Sequence, residues 1–444
     1  MDQAARIPGN AVYVDRLPAS GAAAAMAKGR QSTVFIAGFL CLIYVLHGID
    51  RNIVNILAIP IQKEFALSDA ELGLLTGLMF TLSYIAFGLP LARLADRPTT
   101  NRVGLISASV ALWSGFTALC GVTQTFTQLI LARIGVSIGE AGCNPTAHSL
   151  IADSVPVEKR PLALSIYGLG PALGTLFGLL LGGLLQQHLG WRNAFIIVGL
   201  PGILVAAIFW LTVREPRHRG INSAASGMRA VTMREALAEA LRSRALVYLT
   251  GGIASSVVLN YGTVVWTGIF FVRGHGLSVG QTGLWLGLVS GIGGAFGVLL
   301  GGIVTSLAGK ARYHLALRWL ACGFVLATPL LVCAYQVADW RLAFAFLFAA
   351  AILGQTWYGP AYGCVPALIG PASRAMTVFL IGMFANLVGL GIAPVVFGFL
   401  SDLITPHFGG DSVRWVLTTA SLFSLAPALA FIMASRNLPA ELRH

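Results

Sequence analysis

Long apolar runs separated by short polar segments recur along almost the whole chain. They predict twelve helical spans, at approximately 33–60, 70–95, 102–122, 125–152, 161–188, 192–213, 245–271, 279–307, 313–336, 340–369, 374–404 and 412–436. Each can cross a hydrocarbon core of about 30 Å, so the pattern predicts an all-α polytopic membrane protein. The longest polar interruption, 214–244, divides the spans six and six. The expected organisation is an N-terminal tail over 1–32, a six-helix half over 33–213, a linker over 214–244, a second six-helix half over 245–436 and a tail over 437–444. From Met233 to Arg244 the linker has helical spacing. That suits an amphipathic helix on the membrane surface, the alternative being a plain linker with a chance pattern.

Two spans break the apolar rule. Residues 129–153, LILARIGVSIGEAGCNPTAHSLIAD, carry Arg133 and Glu140. Seven residues make two helical turns, so both side chains leave the same face roughly 10 Å apart. Ser137, Asn144 and His148 share that face. A polar stripe of this kind should line a cavity or meet another helix rather than lipid. The second break is Asp50–Arg51 in LIYVLHGIDRNIVNIL, where Arg51 shares a face with Tyr44, His47 and Asn55. Asp50, about 100° away, is free to approach a neighbouring helix, with Arg133 the expected partner. A carboxylate whose surroundings alternate between a dry cavity and a nearby arginine can couple proton uptake to conformation. Asp50 and Glu140 are the candidates and His47 a candidate relay, against a static ion pair and a hydrogen-bonded core histidine.

Composition supports the membrane reading. Of 444 residues, 56% are hydrophobic and 10% charged, against about 25% charged in soluble domains. The net charge of +12 would suit a nucleic-acid partner, but its placement argues against one. Sixteen Lys and Arg lie in the tail, 93–102, 153–160 and 214–244, and the opposite loops hold Lys63, Arg192, Arg273, Arg341 and Arg414. This asymmetry places both termini in the cytoplasm of a cell with the chain in its inner membrane. The six cysteines show neither metal-ligand spacing nor a disulfide framework and read as packing residues. There is no phosphate loop with a Lys, no His/Glu metal spacing in the spans and no Ser/His/Asp set at a membrane face. An enzyme, a primary pump and a bound metal or cofactor are therefore not expected.

The halves repeat. Shifting by 210 aligns SDAELGLLTGL (68–78) with SVGQTGLWLGL (278–288), and shifting by 215 aligns IGEAGCNP (138–145) with LGQTWYGP (353–360). Gln355 then stands at the position of Glu140, and Phe348 at that of Arg133. Two six-span halves in parallel order mark one large class of secondary transporter. The second half replaces mid-span charge with Asn260, Tyr261 and Trp266 on span seven, Gln355, Trp357, Tyr358 and Tyr362 on span ten, and Met383 and Asn386 on span eleven. With Arg51, Arg133 and Asn144 opposite, these residues suit a substrate with an anionic or zwitterionic head and an apolar body.

The loop ARLADRPTTNR (92–102) resembles the signature after span two of the major facilitator superfamily, with Asp96 and Arg97 matching and Ala92 in place of the leading Gly. ARIGVSIGEAG (132–142) is similar to its span-four signature, and the resemblance covers residues 33–436. Within the superfamily, IDRNIV (49–54), IGEAG (138–142) and IADSVPVEKRPLALSIYGLGPALG (151–174) look most like the Spinster-like branch. GLGPALG (168–174) also partly resembles a Gly-Pro motif of proton antiporters. The resemblance implies the major facilitator fold and a cytoplasmic latch in which Asp96, Arg97, Arg102 and Asp153 hold that side shut near the start of span eleven. The branch implies sphingolipid or lysophospholipid substrates. The expectation is a monomeric, proton-coupled secondary transporter of an amphipathic lipid-like molecule, whose partners are the bilayer, the substrate and protons. The alternative is a symporter of small organic anions, such as aromatic or sugar acids, with Arg51 and Arg133 binding the carboxylate.

Overall fold

In the computed structural model, residues 32–97, 99–216, 232–308, 312–370 and 373–441 are described, apart from the side chains of 96, 157, 161, 375, 440 and 441. Almost all of the N-terminal tail, the middle of the linker and the side chain of Asp96 lie outside the described residues. Among those described, nine stretches are long and apolar enough to cross a membrane, and two of these hold two spans each, Leu162–Thr212 and Met376–Pro439. The first pair turns at Gly190, whose φ of 81° is readily open only to glycine. The second turns through Gly409–Asp411. Span four, Phe126–Ala141 continued by Cys143–Ser154, is absent from the nine. Its polar stripe, Arg133 and Glu140 above all, lowers its apolar character, and with it the all-α bundle has twelve spans.

Local signals repeat with the halves. Ser68 and Ser278, related by the 210-residue shift, cap spans two and eight with the same capping box, through Glu71 and Gln281 respectively. The reciprocal bonds satisfy amide groups that a helix start leaves open. Spans two, seven and eleven each contain one wide π-turn, at Leu74–Leu78, Val258–Gly262 and Leu387–Ile392. The one in span eleven packs against both of the others, and such turns locally rotate the helix face presented.

One end of the bundle, the linker face, carries the segment between spans six and seven. The opposite end, the latch face, carries residues 57–68. The halves press together on the latch face through glycines. A Cβ on Gly283 of span eight would lie 2.3 Å from the Leu179 carbonyl oxygen of span five, and one on Gly73 of span two 2.5 Å from that of Pro394 in span eleven. Gly283→Val is therefore expected to keep this face from closing. Spin labels on the latch-face ends of spans five and eight should move apart, and an unchanged distance would show that the glycine contact does not control closure.

The linker helix spans Met233–Arg242 and is capped by Thr232 and Glu235. Glu239 docks it on the second half, accepting from the Gly370 amide at 3.0 Å. The Ser373 hydroxyl and that amide hold the Glu239 carboxyl below the ordinary glutamate range. The contact's pH-linked contribution is thus complete above that range and is lost as pH falls through the lowered value.

Candidate functional site

The charged residues of spans one and four meet inside the first half. Glu140 is fully buried, and its Oε2 accepts from Arg51 Nε at 3.0 Å and lies 3.1 Å from His47 Nε2. Its second oxygen, Oε1, has no hydrogen-bond partner. The pairing differs from the one expected, because Arg133 Nη1 donates to the Asp50 backbone carbonyl at 3.3 Å and not to the carboxylate. The cause is the 100° between Asp50 and Arg51. Arg51 takes the side toward Glu140, and Asp50 turns toward Trp113 and Thr117 of span three. There Asp50 Oδ1, Trp113 Nε1 and Thr117 Oγ1 all fall short of hydrogen-bond geometry. Phe80 lies between the two guanidinium groups, its ring centre 5.0 Å from Arg51 Cζ and 4.9 Å from Arg133 Cζ. Tyr84 lies 4.7 Å from Arg51 on the same reckoning. Aromatic faces partly offset the desolvation of buried cations.

A cavity of about 340 Å³ lies between the halves. The first half supplies Tyr44, His47, Arg51, Arg133 and Asn144, and the second supplies Tyr261, Trp357, Tyr358, Tyr362 and Asn386. Asp50 and Glu140 stand behind this wall. Charge therefore faces aromatic and amide surface across the cavity, and its centre is walled on both sides.

Two residues expected in the cavity are elsewhere. Trp266 is fully buried and donates to the Pro394 carbonyl at 3.2 Å. It follows Tyr261 by five residues, which turns it about 140° away from the cavity side. Gln355 lines a separate cavity of about 90 Å³ inside the second half, together with Asn260. Span ten is interrupted between Gly354 and Tyr358, so Gln355 is not in register with the tyrosines beyond the break. The sequence reading also passed over Phe80 and Tyr84, which stand four apart on span two, and Tyr167. Tyr167 stacks on Tyr44 with ring centres 4.6 Å apart and donates a hydrogen bond to Asn144 Oδ1.

Of the expected cytoplasmic latch, the Asp96 side chain lies outside the described residues, and the described ion pairs of Arg102 run to span four and to the segment after span six. Arg102 is fully buried, with Nη1 2.7 Å from Asp153 and Nη2 2.7 Å from Glu215. Arg102 and Asp153 belong to the first half and Glu215 lies just after its last span, so the three tie spans three and four to the end of span six. Arg97 occupies the exposed turn after span two. The halves are joined at the latch face by residues the sequence did not single out. Asp69 accepts from Arg273 Nη2 and from Ser401 Oγ, each at 2.7 Å, and from Gln62 Nε2 at 2.7 Å. Asp402 of span eleven accepts from the backbone amides of Asp69 and Ala70 at 3.0 and 2.9 Å, which places a carboxylate at the N-terminus of span two. These residues lie at the ends of spans, where charge gives no signal in a single sequence.

Comparison with known proteins agrees in kind. Residues 40–394 match the family model of the Major Facilitator Superfamily. An "MFS-type efflux pump" of Mycolicibacterium smegmatis is 31% identical over 402 residues, covering 90% of this chain and 91% of that protein. The "Probable L-galactonate transporter" of Escherichia coli is 26% identical, covering 92% and 90%. The "Sphingosine-1-phosphate transporter SPNS2" of Danio rerio is 23% identical, covering 90% and 85%. A crystal structure of a bacterial homolog of the human lysosomal transporter Spinster, inward-facing and unoccupied, superposes with a TM-score of 0.82 at 30% identity, covering 92% of this chain and 98% of that one.

Proposed function

Because this chain belongs to the major facilitator superfamily, we propose that the buried charge beside its central cavity couples proton movement to the transport of an amphipathic, lipid-like molecule such as a lysophospholipid or sphingoid lipid. It is a Spinster-like, multi-pass membrane transporter that works by alternating access, and not an enzyme. The basic residues on the linker face support an inner-membrane orientation with both termini cytoplasmic, so that the latched face is the outer one. The cavity is complete within one chain, which supports a monomer as the working unit.

The observation that carries the reading is the Glu140 carboxylate, bonded to Arg51 and 3.1 Å from His47 Nε2, directly behind the cavity wall. A guanidinium has five N–H donors, so Arg51 can serve both Glu140 and an anionic head. A proton on Glu140, delivered through His47, removes the competing charge and leaves Arg51 free to hold the head. By linkage, the bound head favours the protonated carboxyl to the same degree. Asp50, close to Arg133, is the second carboxyl available to take a proton. Asn144, Asn386 and the Tyr261, Trp357, Tyr358 and Tyr362 surface would hold the rest of the substrate. A long tail would extend past the cavity toward the linker face.

A second reading has its own support. Two guanidinium groups on one wall of a cavity this size also suit a small organic anion, and relatives include probable L-galactonate and galactarate/D-glucarate transporters. Competition in reconstituted vesicles separates the two. Lysophospholipid is expected to block counterflow at concentrations where hexonates and aromatic acids have no effect, and the reverse order would replace the lipid reading with the organic-anion one.

A further inference from the structure

The cavity of about 90 Å³ inside the second half is bordered by three breaks in helix geometry. The π-turn Val258–Gly262 of span seven supplies Asn260, a π-turn in span eight, Leu288–Gly293, supplies Ser290, and the helix Trp340–Gly354 ends there with Gln355 as its cap. The polar lining presents acceptors. Both N–H groups of the Asn260 amide are used, by the carbonyls of Ser256 at 2.8 Å and Gly354 at 3.0 Å, which leaves Oδ1 to accept. The Thr263 hydroxyl donates to the Leu259 carbonyl at 2.6 Å, and that of Thr267 to the Thr263 carbonyl at 2.9 Å. Their protons are thereby held on the backbone, and their lone pairs remain. The last turn of Trp340–Gly354 also lies on the wall, and that end of a helix dipole is negative. Among the described residues no Lys, Arg, Asp, Glu, His or Cys lines the cavity.

We propose that this cavity binds a monovalent alkali cation, held by the oxygens of Asn260, Thr263, Ser290 and Gln355 with water in the remaining space. Acceptors and a negative helix end, with no fixed cation beside them, select a positive occupant. Neutral oxygens alone suit a single charge, since strong divalent sites draw on carboxylates. Transition metals take the imidazole and thiolate ligands that this lining lacks. Discontinuous membrane helices hold such ions with unwound backbone and helix C-terminal ends, which is the arrangement at this junction. The ion ties the π-turns of spans seven and eight to the end of the first part of span ten. It does not depend on the substrate or on the proton reading, because Asp50 and Glu140 both lie in the first half.

The test follows thermal unfolding of the whole purified protein as sodium or potassium chloride replaces choline chloride at constant total salt. At least one of the two ions is expected to raise the midpoint saturably, by about 2 °C or more. Thr263→Val and Ser290→Ala each remove one oxygen with little change of size, and each is compared with its own midpoint in choline chloride. Half of the rise should then need at least about tenfold more cation than in the native protein. Asp50→Asn and Glu140→Gln should respond to the cation as the native protein does. Equal midpoints in all three salts would overturn the site and leave the cavity to water. A rise unchanged in both Thr263→Val and Ser290→Ala would also overturn it, and its loss in Asp50→Asn or Glu140→Gln would place the ion in the first half.

Discussion

Glu140→Gln is expected to abolish accumulation driven by a pH gradient while leaving substrate exchange at equal pH. Glutamine keeps the size and one acceptor oxygen of the side chain but cannot ionise, so it imitates a permanently protonated Glu140. Arg51, bonded to the carboxylate at 3.0 Å in the native protein, is then always free to hold an anionic head. Native binding should be tighter at low pH by a factor set by the coupling between the two sites, about 5- to 150-fold. In the variant that dependence should vanish, with affinity fixed near the native low-pH value. Binding isotherms at two pH values and flux with and without a gradient measure both effects. Gradient-driven flux equal to that of the native protein would remove Glu140 from the coupling step. Asp50→Asn, tested in parallel, measures what the second buried carboxyl contributes.

Asp69→Ala is expected to open the latch face. Asp69 accepts hydrogen bonds from Gln62, Arg273 and Ser401. Breaking a buried ion pair costs about 3–5 kcal/mol. Solvent reaches Arg273, whose side chain is 29% exposed, which reduces the figure to roughly 2–3 kcal/mol. That shifts the ratio of latched to unlatched molecules by about 30- to 160-fold. A cysteine at Thr76, on the cavity wall, should then react faster with a membrane-impermeant maleimide supplied from the latch side. Asp69→Ala/Arg273→Ala should add little to either single change, because both remove the same interaction. An unchanged labelling rate in Asp69→Ala would assign closure to the glycine contacts of spans two, five, eight and eleven and to the Asp402 carboxylate on the span-two amides.

Much of the architecture was legible in one dimension. Hydrophobic period and length mark the spans, because a bilayer demands a nearly continuous apolar run wherever backbone hydrogen bonds must close within the segment. Span four shows the strength of pattern over bulk apolar content. It falls outside the purely apolar stretches, and its charges at Arg133 and Glu140 are what nominate it. The face-sharing of Arg51 with His47 and Tyr44 also follows from helical geometry alone, and all three residues line the cavity.

Pairing was not legible in the same way. A helix's angular period says which of its residues share a face, but not which neighbour that face meets. The sequence nominated Arg133 for the Asp50 carboxylate, and the structure pairs Arg51 with Glu140, 89 residues away. Trp266 and Gln355 were misplaced because their positions depend on a neighbouring carbonyl and a break in span ten. The latch of Asp69, Arg273 and Asp402 gave no signal, since a charge at a span end is ordinary until another helix brings its partner. The sequence alone determined which segments enter the membrane and which carry charge into it, because desolvation acts on each segment separately. Tertiary structure decided which charges meet and which face of the bundle is closed, because those are properties of helices packed together, with partners up to 333 residues apart, as for Asp69 and Asp402.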